Sequence, residues 1–266
     1  MLVQKNYILI KIFVQILFKT ALKMTSSKLR FKADKMRMLN KMALGAISKD
    51  LKSLAGTKGP KFDRGLLLIK IRISKLVNDD NTADIYEILV VDCELMLSKL
   101  NRLLSVRHER KSAEIEGGDE TVNKLTRKMM FASNYVNVKE FRKLVTLLIS
   151  KYGKLYYEEA IKTFGLEEMS KAEEDFRKKC TEDSVDELTE MYLKEFCDTY
   201  KIDLYGEGLY KDENNEESKG DDHPDGGSDS DDDGNGGNTE KKEERAGNKG
   251  DNMDDLKKRF EALKRI

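Results

Sequence analysis

The thiols and imidazoles of this chain are Cys93, Cys180, Cys197, His108 and His223. No two of them have the spacing of a structural metal site, and three cysteines cannot form a disulfide framework. His108 stands in a charged helix end and His223 in an acidic, Gly-rich stretch, so neither has the neighbours of a catalytic triad. The glycines of that stretch lack the flanking strand and helix of a phosphate loop. No catalytic residue, no metal ligand and no cofactor is expected, and the chain reads as a non-enzyme. Cys93 falls on an apolar helical stripe and reads as core filler, since nothing nearby would activate a thiolate.

The chemistry that the sequence does carry is that of binding. Residues 251–266, DNMDDLKKRFEALKRI, place Met253, Leu256, Phe260 and Leu263 at i, i+3, i+7 and i+10, one apolar stripe of a short helix. Asp251, Asp254 and Asp255 open it and Lys264 and Arg265 close it, matching the helix dipole. A helix this short is marginal alone in water and is expected to fold on a partner, in a hydrophobic groove between that partner's helices. Burying Leu256, Phe260 and Leu263 contributes about 1.5–3 kcal/mol each. Ordering and association costs offset much of this and leave roughly micromolar binding.

A second binding feature is charge. The chain has 49 basic and 49 acidic residues, but they are segregated. Residues 1–75 hold 18 basic and three acidic side chains, a net of +15, whereas 206–240 hold two and 13, a net of −11. An anionic partner is expected for the first region, with the second as an internal competitor. The candidate basic face is Lys28, Arg30, Lys32, Lys35, Arg37, Lys41, Lys70, Arg72 and Lys75. Anionic lipid, an acidic subunit surface and nucleic acid all satisfy the count. Neither a nucleic-acid reading module nor a platform of stacking aromatics accompanies it.

The elements that must position these residues read as all-α. Two prolines in 266 residues leave few forced breaks, and no strand-like alternation persists. From Lys28 to Leu54, Phe31, Met38, Met42 and Ala46 recur at helical spacing and form the expected inner stripe. Gly56 and Gly59-Pro60 stop this helix and open an antiparallel neighbour. That second helix carries Ile69, Ile73, Leu76 and Val77 inside. It is interrupted at 78–81 and resumes with Leu89, Cys93, Met96, Leu100 and Leu103. Further helices are expected over 121–135, 138–164 and 186–200. Ten glycines and clustered acids make 206–250 a disordered linker, with a mean reach of about 35–40 Å.

Residues 1–23 are apolar but interrupted by Lys5, Lys11, Gln15 and Lys19. A spanning helix would bear roughly 2.5–3.5 kcal/mol for Lys11 near its centre. The segment reads as upstream of a true start at Met24, as an interfacial amphipathic helix, or as a targeting segment. The expected organisation is an extension over 1–27, a helical domain over 28–205, the linker over 206–250 and the terminal helix over 251–266.

The terminal L-x-x-R-F-x-x-L-K at Leu256, Arg259, Phe260, Leu263 and Lys264 resembles a type-1 MIT-interacting motif, the C-terminal helix by which ESCRT-III proteins engage the MIT domain of their disassembly ATPase. Where that motif usually has an acid three residues before the first Leu, this chain has Met253, with Asp254 and Asp255 beside it. In order along the chain, KADKMRMLNKMALGAISKDL, IKIRISKLVNDDNTADIYEILVVDCELMLSKL, LVTLLISKYGKLYYEEA and YLKEFCDTYKIDL resemble the increased sodium tolerance protein family of the ESCRT-III system.

The resemblance implies an ESCRT-III-like helical core with a long N-terminal hairpin and no catalytic activity. It implies binding to CHMP-type ESCRT-III subunits and regulation of the type-4 vacuolar protein sorting AAA ATPase through MIT domains, in multivesicular-body sorting and membrane scission. Cytoplasmic location, peripheral on endosomal membranes, and assembly into a homo-polymer are expected with it, and nucleic acid is not. The competing expectation is a basic helical protein that binds nucleic acid or scaffolds membranes without the ATPase.

Overall fold

The structure is a computed structural model and describes residues 2–105, 119–164, 170–181, 185–206 and 258, with side chains from residue 9 onward. All its regular elements are helices. Helix α1 (Leu2–Leu54) and helix α2 (Pro60–Ser98) form a long antiparallel hairpin. The 53 residues of α1 rise about 80 Å at 1.5 Å each. The turn between them needs backbone that glycine adopts most readily: φ is 79° at Gly56 and 71° at Gly59. Pro60 then occupies the first helical position, where its missing N–H costs nothing. Gly65 allows close packing at this tip, since a Cβ there would run into Leu54.

The interruption expected at 78–81 does not break α2. Asp80 and Asn81 are buried within a continuous helix, and the hairpin uses them as a polar waist. Below the waist, Leu44, Ile47, Leu51, Ile69, Ile73 and Leu76 pack with Tyr192, Leu193 and Phe196 of α8 (Val185–Tyr200). Above it, the larger cluster takes Phe18, Leu22 and Leu29 of α1 and Leu89, Cys93 and Met96 of α2. These meet α3 (Leu100–Ser105), α4 (Glu120–Ala132), α5 (Lys139–Tyr152), α6 (Lys154–Thr163) and α7 (Lys171–Thr181).

Three details differ from the sequence reading. The stripe Phe31, Met38 and Met42 lies on the outside of α1, at 61%, 57% and 67% exposure. The inner face is Leu22, Leu29, Ala33, Leu44, Ile47 and Leu51, and it also holds the buried polar residues Thr25, Asn40 and Ser48. Those polar residues dilute the inner apolar pattern, which made the outer one the better-looking stripe. Next, the helix expected over 138–164 is two helices. Gly153, at φ 93°, ends α5 and begins α6, so Leu155 turns outward while Tyr156 and Ala160 go in. Finally, α7 has no sequence-level counterpart. It buries only Phe176 and Cys180, but Ser170 and Glu173 start it with a reciprocal capping box, including a 2.7 Å bond from Ser170 Oγ to the carboxylate.

The expected boundary at 27/28 falls inside α1. The helix runs through it, and Phe18, Leu22 and Thr25 are all buried.

Candidate interaction surfaces

Packing divides the nine basic residues of the expected face into those tied down and those left outward. Arg37 belongs to the polar waist. Its guanidinium reaches Asp80 and Asp84 of α2 and bonds Glu87 at 3.0 Å. Burial opposes the charge, but Glu87, Asp80 and Asp84 outweigh it, and the Arg37 pKa rises. Lys179 of α7 pairs with the same Asp84, so one carboxylate joins α1, α2 and α7. Nearby, Lys128 of α4 holds Asp92 at 2.9 Å. Burial pushes the Asp92 carboxyl up and Lys128 pulls it back only in part.

Four more of the nine make contacts at the surface. Arg30 pairs with Glu94 at 2.6 Å, Lys70 with Glu190 of α8 at 2.5 Å, and Arg72 with Asp50. Lys32 Nζ donates to the Asn137 carbonyl oxygen at 3.3 Å. Surface pairs like these are weak and exchangeable. Lys28 lies 5.3 Å from the centre of the Phe31 ring, a cation–π contact. Lys35, Lys41 and Lys75 are exposed and have no ion pair among the described residues.

The outcome on α1 is a face of mixed character. Met24, Phe31, Met38, Leu39 and Met42 stand in solvent, bordered by Lys28, Lys35 and Lys41. The apolar half of this surface was assigned to the core by sequence. The signal that would have found it is the longer stripe Leu22, Leu29, Ala33, Asn40, Leu44, Ile47, Leu51, which keeps helical spacing up to the turn if one asparagine is allowed inside.

The terminal motif residues Met253, Leu256, Arg259, Phe260, Leu263 and Lys264 lie outside the described residues, as do the linker, His108 and His223. Within the motif only Lys258 is described, helical and exposed. Among the described residues no group of His, Cys, Asp and Glu side chains could hold a metal ion. Burial drives the Cys93 and Cys180 thiols up to about 12, which makes them poor nucleophiles.

Among the described residues the protein is an all-helical scaffold with charged and apolar outer faces, and Cys93 and Cys180 are buried in its core. Residues 19–203 match the family described as Ist1, regulator of Vps4 activity in the MVB pathway, and the chain belongs to this family, one of regulators and not of enzymes. A relative is the vacuolar protein sorting-associated protein IST1 of Saccharomyces cerevisiae, 26% identical over 186 residues, 69% of this chain. The match covers 57% of the yeast protein's length. Among solved structures, the S. cerevisiae Ist1 N-terminal domain in complex with the Did2 MIM motif is similar, with a TM-score of 0.53 and 26% identity. That similarity covers 71% of this chain and 93% of the yeast domain.

Proposed function

We infer that this protein is a non-enzymatic adaptor of the ESCRT-III system that recruits or regulates the Vps4-type AAA ATPase through its terminal helix. The carrying observation is the Leu256–Lys264 pattern, set behind a 45-residue acidic, Gly-rich segment in a member of a Vps4-regulating family. Met253, Leu256, Phe260 and Leu263 fill the groove of an MIT domain, of that ATPase or of other MIT proteins, while Arg259 and Lys264 reach its acidic rim. The helical body binds CHMP-type ESCRT-III subunits. The yeast relative's complex with a Did2 MIM motif supports this partner class.

The basic and apolar outer face of α1, with Lys28, Lys35 and Lys41, meets anionic membrane or an acidic subunit surface, and hairpins side by side assemble a homo-polymer. The site of action is the cytoplasmic face of endosomal membranes. Among the described residues no helix is long and apolar enough to cross a membrane. Many tethered motifs on one polymer raise the avidity for a multi-subunit ATPase well above that of a single contact.

The test is retention of the full-length chain by an immobilised MIT domain. Leu256→Asp and Leu263→Asp should each abolish it at micromolar protein, with thermal unfolding of the body unchanged. Equal retention of these variants would overturn the groove model.

A further inference from the structure

The regulator role uses the tail and the outer faces of the hairpin and leaves one feature of the body without a task. A cavity of about 410 Å³ opens between α1, α3 and α5, within the size range of sites for small ligands. Its lining on α1 comes from one side of that helix, from Ile10 to Phe18, a trough of about 12 Å at 1.5 Å per residue. Phe18 is buried, and Val14, Leu104 and Leu147 are half-buried walls packed against the larger core cluster. Lys11 and Lys151 are the charged residues of the lining, and no acid stands among the described residues that form it. Apolar walls and two cations are the complement of an anion with a hydrocarbon chain.

We propose that the α1–α3–α5 cavity binds one fatty acid, taken from solution as a monomer, with its alkyl chain along Val14, Phe18, Leu104 and Leu147 and its carboxylate on Lys151 and Lys11. The lining selects this occupant. A neutral apolar molecule leaves both ammonium groups without a counter-charge, and a cationic amphiphile adds a third like charge. A small inorganic anion satisfies the lysines but leaves the apolar walls in water. Burial lowers the Lys151 pKa, so an arriving carboxylate offsets the desolvation of a half-buried cation. The acidic 206–240 segment has the right sign but the wrong place, since it leaves the body at Gly206, where Tyr205 lies 5.9 Å from Phe62 at the hairpin tip. From there to Val14 is about 60 Å along α1, beyond the roughly 35–40 Å mean reach that its composition predicts. Each methylene withdrawn from water is worth about fourfold in affinity, so chain length as well as charge sets the strength of binding.

The site is independent of the terminal motif and of the Lys28–Lys41 face. Its test is calorimetric titration of the full-length chain with laurate, below the critical micelle concentration and with no vesicles present. Laurate should saturate near one per chain. Decanoate, two methylenes shorter, should bind about tenfold more weakly, and the dodecyltrimethylammonium cation more weakly than laurate. Bound laurate should slow amide hydrogen exchange at residues 10–18 and 147–151 and leave α8 unchanged. Lys151→Met should lower laurate affinity about tenfold and leave that of uncharged 1-decanol in place. Leu147→Trp, which fills the cavity, should lower both, and thermal midpoints report whether each variant is folded. Equal uptake of laurate and the cation, several laurates per chain, or unchanged laurate affinity in both variants would mean adsorption on the exposed side chains of Ile10 and Phe13, and would overturn the proposal. So would protection that appears only with vesicles, or laurate displaced by a synthetic 206–240 peptide.

Discussion

A chain that begins at Met24 tests how the N-terminal segment joins the body. Phe18 and Leu22, at 4% and 1% exposure, belong to the larger core cluster, with Val14 and Ala21 partly buried against it. Burying a large apolar side chain contributes about 1.5–3 kcal/mol, so removing Phe18 and Leu22 together costs about 3–6 kcal/mol. That is a large part of the roughly 5–15 kcal/mol that stabilises a typical domain. For a body of this size it corresponds to a drop of about 6–24 °C in Tm. Circular dichroism at 222 nm during heating and in urea measures it. Leu22→Ala in the full chain should cost about 2–5 kcal/mol through its cavity, and the exposed Phe13→Ala less than about 0.5 kcal/mol. A Met24 chain that melts with the full-length protein would refute the reasoning and make residues 2–23 an appendage.

The polar waist predicts that Arg37→Ala costs about 3 kcal/mol or more, because it leaves the buried Asp80 carboxylate without its guanidinium; denaturant midpoints measure it. Thiol accessibility gives a second check. Cys93 and Cys180 are buried and raised to about 12, and burial also raises the half-buried Cys197 thiol, so native protein at pH 8 should label slowly and at Cys197 ahead of the other two, read by peptide mass spectrometry. The third concerns Asp119, which caps α4 through Val122 N–H and pairs with Arg102 and Lys99. These partners, Arg102 foremost, hold its carboxyl below the ordinary 3.8. A lowered folded-state value contributes stability above 3.8 that is lost as pH falls through the folded value. Asp119→Asn should therefore be less stable than the parent at pH 7, with the gap closing on acidification below 3.8.

Much of this architecture is readable from the chain because its signals are local. Two glycines and a proline mark the hairpin turn, and Ile69, Ile73, Leu76, Leu89, Cys93 and Met96 are buried as their spacing predicts. The family resemblance rests on ordered segments along the body and agrees with the match over 19–203. What escaped was set by tertiary pairing. Arg37 reads as one more surface cation until α2 brings three carboxylates to it. Asn40 and Thr25 are polar residues buried on the inner face of α1, so the stripe of Phe31, Met38 and Met42, about half a revolution away, carries the cleaner apolar pattern. Helix α7 was missed because Phe176 and Cys180 are too few to make a stripe, and the break at Gly153 because the apolar rhythm continues across it. The apolar patch at 9–17 was legible as an amphipathic segment, but its cavity depends on Leu104 and Leu147 arriving from distant parts of the chain.

The position of Gly206 has a mechanical consequence. The tail departs beside the hairpin tip, where α8 is fastened by a small cluster and by the Lys70–Glu190 pair. Traction on the tail therefore loads that cluster before any force reaches the waist or the larger cluster behind it. A pull on this end would act first on α8 and would lay bare the tip of the hairpin.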